Sequence, residues 1–268
     1  MGVLNVTPDS FSDGGLFLDE QAAVDHGVEL IRQGADILDI GGESTRPGAE
    51  PVGVDEELRR VVPVVESLAQ RVGTSQLSID TSKAKVAKTA LAAGATLVND
   101  VSALRADPEM VGVVVDSGAD CCLMHMLGEP RTMQQGVGGP RYKDVVDDVK
   151  AFLEERLAFA VGAGVPERLI MLDPGIGFGK TIEHNLALLR RLDEIVALGR
   201  PVVIGTSRKS FLGGAPAERL PGTIATNVMA FERGASVFRV HDVAPVASAL
   251  AVAAATLSAQ WKATPTTS

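Results

Sequence analysis

Eight short apolar runs, rich in β-branched residues, recur along this sequence with longer segments between them. The runs do not alternate polar with apolar residues, which indicates strands buried on both faces, as in parallel sheets covered by helices. We therefore predict eight parallel strands. The predicted strands cover residues 3–6, 37–40, 77–79, 97–98, 122–124, 169–172, 202–204 and 237–240.

The segments between the runs carry apolar residues at helical spacing, as in 58–72 and 186–196, and each of these two stretches predicts one helix. Eight strands alternating with about eight helices in 268 residues fit an α/β fold of the (β/α)8 TIM-barrel type. A doubly wound open sheet is the alternative. Because no linker divides the chain, we expect a single barrel domain over 1–262 and a frayed tail over 263–268. Glycines predicted to cap helices precede the next strands, at Gly34, Gly94, Gly118, Gly164, Gly199 and Gly234.

Polar residues occur in or directly after the apolar runs. In a closed barrel the carboxyl ends of the strands meet at one face, where the active sites of such barrels lie. We therefore expect these polar residues to line one site. They are Asn5, Asp39, Asp80, Asn99, His125, Asp173, Ser207, Arg239 and His241.

The overall charge argues against several classes of partner. The chain has 25 basic and 34 acidic residues, a net charge of −9, which disfavours binding to nucleic acid or to anionic lipid. The start of the sequence lacks a secretory signal, so we expect a cytoplasmic protein. The uncharged stretch 243–261 is rich in alanine and predicts a terminal helix rather than a membrane span. Cys121 and Cys122 are adjacent and are expected to be small buried residues.

The segment 173–181 reads Asp-Pro-Gly-Ile-Gly-Phe-Gly-Lys-Thr and invites comparison with a nucleotide-binding phosphate loop. Pro174 occupies the place of the first glycine of that loop, so a backbone donor is missing and φ is fixed. We therefore favour Asp173 as the functional group, with glycines that let a flat ligand approach and Phe178 as a packing surface.

Residues 206–210 supply two cations and three hydroxyl groups at a predicted helix N-terminus, a place suited to anions. Arg239 and His241 share one face of the eighth strand and suit a phosphate or pyrophosphate. A solvated basic helix start and a structural histidine are the alternatives. The two long loops 7–15 and 41–48 are expected to act as lids over the site.

Eight segments resemble, in order, the motifs of the dihydropteroate synthase family of folate biosynthesis. They are 2–15, 42–48, 78–81, 99–100, 123–126, 173–180, 207–210 and 239–242. The resemblance implies a pterin-binding barrel that condenses 6-hydroxymethyl-7,8-dihydropterin pyrophosphate with p-aminobenzoate, giving 7,8-dihydropteroate and pyrophosphate. It also implies Mg²⁺ as cofactor, a homodimer and a sulfonamide target.

The same resemblance implies roles for individual residues. The pterin would contact Asp80, Asn99, Met124, Asp173, Phe178, Gly205, Lys209 and Arg239. The p-aminobenzoate pocket would contain Phe11, Thr45, Arg46, Pro47 and Ser210. Pyrophosphate would contact Asn5, Arg239 and His241, with Asn5 also near the metal. The catalytic groups would be Asp13, Lys209, Arg239 and His241.

The family resemblance further implies that pyrophosphate departs first and that the arylamine then attacks a pterin methyl cation. Two other functions stay open on the sequence alone. One is a methyltransferase built on a similar pterin-binding barrel, which has no pyrophosphate to bind, so residues 207–210 argue against it. The other is a non-catalytic pterin-binding protein.

Overall fold

The computed structural model describes residues 1–7, 16–44, 50–73, 75–128 and 139–258. Each of the eight predicted runs coincides with a strand of this structure, within a few residues. The strands are β1 (Gly2–Asn5), β2 (Ile37–Gly41), β3 (Gln76–Asp80), β4 (Leu97–Asp100), β5 (Asp120–Met124), β6 (Ile170–Asp173), β7 (Val203–Ile204) and β8 (Val237–Phe238).

The strands close into a ring. Strands β1 to β6 pair in parallel in chain order, and β7 pairs in parallel with β8. A parallel bridge between Leu172 and Val202 joins the two groups on one side, and a bridge between Gly2 and Val240 joins them on the other. There, Val3 N donates to Val240 O at 3.0 Å. The (β/α)8 barrel prediction is therefore confirmed, and the open-sheet alternative is wrong.

Helices surround the barrel and bury their apolar faces against it. In the second of them, Val61, Val65 and Leu68 are fully buried, as the helical spacing predicts. The helices are α1 (Leu16–Arg32), α2 (Val54–Ala69), α3 (Ala84–Ala92), α4 (Met110–Ser117), α5 (Val145–Gly162), α6 (Ile182–Arg190), α7 (Leu192–Val196), α8 (Leu220–Glu232) and α9 (Val243–Ser258).

Two helix predictions were wrong in detail. The periodic stretch 186–196 is two helices, because the backbone turns at Arg191 (φ −110°, ψ 29°), whose side chain binds Asp144 and Glu194. No long helix starts after Ser210. A three-residue 3-10 helix, Ser210–Leu212, ends at two glycines, Gly213 and Gly214, that have positive φ, and α8 begins only at Leu220. The predicted anion site at a helix N-terminus therefore lacks its helix.

The strand register explains why the polar residues converge. Asn5 on β1 pairs with Gly41 on β2, Gly41 with Asp80 on β3, and Asp80 with Asn99 on β4. These four residues form one row across the barrel. On the following strands, Met124 pairs with Asp173.

The remaining expectations concern the terminal helix and the cysteines. The uncharged stretch forms α9 up to Ser258, and none of the described helices has the length and apolar character to cross a membrane. The tail 263–268 lies outside the described residues. Cys121 and Cys122 are both buried and free, as predicted, and burial raises the pKa of Cys121 to about 12.

All six predicted helix-capping glycines have positive φ, between +65° and +119°.

We predict that two of these glycines, Gly94 and Gly118, differ in their tolerance of a side chain. At Gly94 (φ +119°) an added Cβ would lie 2.6 Å from Ala69 Cβ, whereas at Gly118 (φ +65°) it would meet nothing within 4 Å. Gly118→Ala should lower the free energy of unfolding by roughly 1 kcal/mol, and Gly94→Ala by at least about 2 kcal/mol. Urea unfolding measures both, and equal losses would contradict the close approach of α2 and α3.

Candidate active site

A buried ion-pair network lies at the centre of the barrel mouth. Arg239, just after β8, donates from Nε to Asp39 Oδ2 at 2.6 Å and from Nη2 to Asp80 Oδ2 at 2.7 Å. The Asp39 side chain is fully buried, and that of Asp80 is 10% exposed. Burial lowers the pKa of Arg239, but the two carboxylates outweigh it and raise the pKa, so the guanidinium stays charged.

Asp39 organises the network although the sequence analysis assigned it no ligand. It also accepts hydrogen bonds from Ser78 Oγ at 2.6 Å and from Asn99 Nδ2 at 3.0 Å. The bond to Asp39 uses an amide donor of Asn99 and leaves its carbonyl oxygen as the group that can accept from a ligand. The sequence signal for this role was the position of Asp39 in the middle of β2. A carboxylate buried inside a barrel needs cationic or hydrogen-bonding partners.

Asp173 and Lys209 form a second charged group at the ends of β6 and β7. Lys209 Nζ lies 4.5 Å from the centre of the Phe178 ring and donates to the carbonyl oxygen of Ile176. An added Cβ at Gly177 would lie 2.9 Å from Lys209 Cδ. The absence of a side chain at Gly177 therefore lets the lysine side chain pass close to this loop. An added Cβ at Gly205, a predicted pterin residue, would lie 3.9 Å from both Lys209 Nζ and Arg239 Cβ, so Gly205 is next to both residues.

The charges of these groups are interdependent. Burial raises the pKa of Asp173, while the nearby Lys209 and a bond from the Gly175 N–H at 2.6 Å oppose the rise. Burial lowers the pKa of Lys209 to about 8, and attraction to Asp173 opposes that fall. Burial, followed by repulsion from Asp39, raises the pKa of Asp80 to about 7 despite Arg239.

The lysine of the glycine-rich loop has a structural task. Lys180 is 3% exposed, and its Nζ contacts His125 Nδ1 at 2.9 Å, Gly175 O at 2.9 Å and Phe178 O at 3.1 Å. All three donors of the ammonium group are thus used inside the chain. Burial and the adjacent Lys180 lower the pKa of His125 to about 3, so His125 is neutral. A phosphate-binding role for this loop is therefore excluded by the geometry as well as by Pro174.

A third group lies at the end of β8. Ser207 Oγ and His241 Nδ1 are 3.0 Å apart, and His241 N donates to the same hydroxyl at 3.1 Å. The exposed Arg208 forms a two-point ion pair with Asp242, at 2.9 and 2.5 Å. Ser210 is exposed at the start of the short 3-10 helix. The structure thus brings Ser207 and His241 together, with His241 two residues after Arg239 in the chain.

Apolar groups complete the described part of the site. Met124 is buried in a small cluster with Val101 and Met126, and Phe178 packs against it. Five predicted site residues lie outside the described residues: Phe11, Asp13, Thr45, Arg46 and Pro47. The predicted pterin residues, in contrast, all lie on or just after the strands β3 to β8.

The described groups combine two recognition chemistries. A buried carboxylate, an amide oxygen, a lysine and a Met/Phe wall suit a flat heteroaromatic ring that has a donor edge. Arg239, Ser207 and His241 suit an anion beside that ring.

Comparison with known proteins agrees with these chemistries. Residues 1–241 match the family model for pterin-binding enzymes. The chain is 46% identical over 264 residues to the dihydropteroate synthase of Escherichia coli K12, covering 97% of this chain and 92% of that protein. It belongs to the dihydropteroate synthase family.

Solved structures of that family have the same fold. The Yersinia pestis dihydropteroate synthase in a sulfonamide complex aligns with a TM-score of 0.90 and 44% identity, covering 96% of this chain and 94% of that one. The Xanthomonas albilineans enzyme with 7,8-dihydropteroate aligns with a TM-score of 0.85 and 43% identity, covering 99% and 94%. This chain is accordingly a transferase of the pterin-binding barrel class, as the sequence motifs implied.

We predict that Asp80 makes stability depend on pH. Its pKa is raised in the folded chain, so between about pH 4 and pH 7 the folded state holds a proton that the unfolded state has lost. Wild-type stability therefore falls as pH rises through this window, by at most a few kcal/mol, since one pKa unit corresponds to about 1.4 kcal/mol. Asp80→Asn removes the titrating group, so its free energy of unfolding should rise relative to wild type from pH 5 to pH 8. Urea unfolding at several pH values measures this difference, and a constant difference would show that Asp80 titrates outside the window.

Proposed function

We propose that the chain transfers the pterin methyl group of 6-hydroxymethyl-7,8-dihydropterin pyrophosphate to p-aminobenzoate, forming 7,8-dihydropteroate and pyrophosphate. The observation that carries this proposal is the position of Lys209, which lies over the Phe178 ring and interacts electrostatically with Asp173 and Arg239. Family membership supports it, because the Xanthomonas relatives have structures with 4-aminobenzoic acid and with 7,8-dihydropteroate.

The carboxylate of Asp173 accepts from the donor edge of the pterin aminopyrimidine, which is chemically similar to a guanidinium group. Asn99 accepts through its carbonyl oxygen, since its amide nitrogen is bonded to Asp39. Lys209 donates to the ring carbonyl or a ring nitrogen, and Met124 and Phe178 cover the ring face. Because Asp39 holds Asn99 in place before ligand binds, part of the pterin site is preorganised.

In the first chemical step, the bond between the pterin methylene carbon and the pyrophosphate oxygen breaks, and the electron pair leaves with pyrophosphate. Arg239 and His241 stabilise the negative charge that develops there. The carboxylates Asp80 and Asp173 stabilise the pterin methyl cation. Asp13 has the same role in this proposal, although it lies outside the described residues.

In the second step, the neutral arylamine nitrogen donates its lone pair to the methylene carbon, and the new C–N bond forms. The nitrogen then loses a proton to solvent. An aromatic amine is already nucleophilic when uncharged, so positioning and exclusion of water matter more than a strong base. The positioning groups proposed for p-aminobenzoate are Ser210 together with Phe11, Thr45, Arg46 and Pro47.

We propose that Mg²⁺ binds together with pyrophosphate, held by Asn5. Among the described residues no cluster of three His, Cys, Asp or Glu side chains can form a metal cage. An amide oxygen at the barrel mouth fits Mg²⁺, which keeps several waters and takes its other ligands from substrate phosphates. When bound, the metal neutralises charge on the departing pyrophosphate.

We also propose a homodimer that works in the cytoplasm. Apolar side chains of α8 and α9 support the dimer: Met229, Val252 and Leu257 are 42%, 49% and 63% exposed. Exposed large apolar residues on neighbouring helices are typical of surfaces that bind another protein chain.

We predict that Asp173→Asn lowers pterin affinity by about a hundredfold, because amide donors would then face the donors of the ligand. Calorimetry with a pterin measures the affinity, and a pyrophosphate-release assay with and without p-aminobenzoate measures transfer. Asp193→Asn, which changes an exposed carboxylate of α7, is the matched control.

Unchanged pterin affinity in a folded Asp173→Asn variant would contradict the assigned ring site. Wild-type pyrophosphate release that did not depend on p-aminobenzoate would contradict the transfer reaction. The absence of release in both conditions would favour a non-catalytic pterin-binding protein.

For the metal, we predict that pyrophosphate strengthens Mg²⁺ binding by about tenfold or more, as coupled ligands do. Mg²⁺ is titrated into the chain with and without inorganic pyrophosphate, and the heat of Mg²⁺ binding to pyrophosphate in buffer is subtracted. Asn5→Ala should weaken only the binding that depends on pyrophosphate. Equally tight Mg²⁺ binding without pyrophosphate would instead indicate a resident metal site.

A further inference from the structure

A cluster of three charged residues, which we call the loop anchor, lies outside the site described above: Glu43, Glu57 and Lys83. Lys83 Nζ donates to Glu43 Oε2 at 2.6 Å and to Glu57 Oε2 at 2.5 Å. Glu43 begins the connection between β2 and α2, Glu57 lies in the first turn of α2, and Lys83 directly precedes α3. The loop anchor therefore connects a catalytic-face loop to two helices of the barrel wall.

Glu43 also fixes the far end of its own loop. Its second oxygen, Oε1, accepts from Val52 N at 2.8 Å. The Glu43 carboxylate thus contacts Val52 at the end of the loop. Through Lys83, which also binds Glu57, it connects the beginning of the loop to α2.

The beginning of the loop is packed against α2 as well. Arg60 donates from Nη1 to Gly42 O at 2.9 Å. An added Cβ at Gly42 would lie 2.8 Å from Val61 Cγ1. The distance between the start of the loop and the helix is therefore set by direct contact.

The loop anchor is costly to bury, which argues that it does more than stabilise the fold. Glu57 is fully buried, and within the described residues its Oε1 has no hydrogen-bond partner. Burial lowers the pKa of Lys83, but its two carboxylate partners outweigh the effect and raise the pKa. Well-packed apolar residues of similar volume are often as stabilising as a buried ion pair.

A nearby ion pair provides the comparison. Lys85 on α3 binds Asp55 on α2 at 3.0 Å, so it connects the same two helices as Lys83 and Glu57 do. Its side chains are 66% and 91% exposed, and neither is among the contacts that hold Gly42, Glu43 or Val52. Contact with the loop is what distinguishes Lys83 from Lys85.

We propose that Glu43, Glu57 and Lys83 are positioning residues for the second substrate, because they fix both ends of the loop that carries Thr45, Arg46 and Pro47. This inference rests on the proposed function, in which those three residues bind p-aminobenzoate. The pterin site does not depend on the loop anchor, since its described groups lie on or just after β3 to β8.

The test uses Glu43→Ala, which removes both loop contacts of the carboxylate but leaves the pair between Lys83 and Glu57 intact. Lys85→Met is the matched control. KM for each substrate and kcat are measured in the pyrophosphate-release assay, pterin affinity by calorimetry, and folding by thermal unfolding.

We expect Glu43→Ala to raise KM for p-aminobenzoate by about ten- to a hundredfold, the value of a lost charged hydrogen bond. Pterin affinity should stay within about twofold of wild type. Glu43→Gln keeps an acceptor for Val52 N and should give an intermediate KM. The double variant Lys83→Leu/Glu57→Leu removes the charges of Lys83 and Glu57 together but keeps the contact between Glu43 and Val52 N, so it should fold and should also give an intermediate KM.

A KM for p-aminobenzoate in Glu43→Ala equal to that of Lys85→Met would overturn the inference. So would an equal loss of pterin affinity and p-aminobenzoate affinity, since that pattern indicates general damage to the barrel. A wild-type chain that released no pyrophosphate would overturn the proposed function, and the inference with it.

Discussion

The guanidinium of Arg239 lies inside the barrel between the carboxylates of Asp39 and Asp80, and it connects β8 with β2 and β3 across the mouth. Removing Arg239 would leave two buried carboxylates without their cation, which is far more costly than losing an exposed ion pair. Asp39 also accepts a hydrogen bond from Asn99, so the network extends to β4. The position of the Asn99 amide, for which we propose a role in pterin binding, therefore depends on an ion pair between residues 200 positions apart in the chain.

The charge balance of the same region follows from this network. Asp39 and Asp80 share the guanidinium of Arg239, and after burial the repulsion from Asp39 is the main reason why the pKa of Asp80 is raised. Two carboxylates this close repel each other in the empty protein, and in the proposed reaction they would favour a pterin methyl cation formed beside them. In the proposed reaction, the negative charge of the departing pyrophosphate develops near Arg239 and His241, whereas the positive charge of the pterin methyl group develops near carboxylates.

The sequence predicted the strands and the capping glycines, because each of these depends on local patterns. The sequence placed Asp39 among the polar residues of the site but gave it no ligand, since its pairing with Arg239 becomes known only when β8 closes against β1. In the sequence, Lys180 resembled the lysine of a phosphate loop. In the structure it points inward, because His125 and two carbonyl oxygens of its own loop accept hydrogen bonds from it. The prediction of a helix beginning near Ser210 was wrong, because Gly213 and Gly214, both with positive φ, end the short 3-10 helix there. Glu57 and Lys83 matched the charged positions of any surface helix, and only the fold shows that Glu57 is buried.

The proposed binding residues fall into two classes, according to what fixes their positions. The groups assigned to the pterin belong to strands or directly follow them, so barrel closure itself fixes their distances. The groups assigned to p-aminobenzoate belong mainly to loops, and a loop receives its position from contacts made at its ends. Glu43 supplies such contacts from outside the barrel, to Val52 and to Lys83. Asp80, the last residue of β3, belongs to the ion-pair network, whereas Lys83, the last residue before α3, contacts Glu43. Two residues three positions apart in the chain therefore serve different parts of the proposed site.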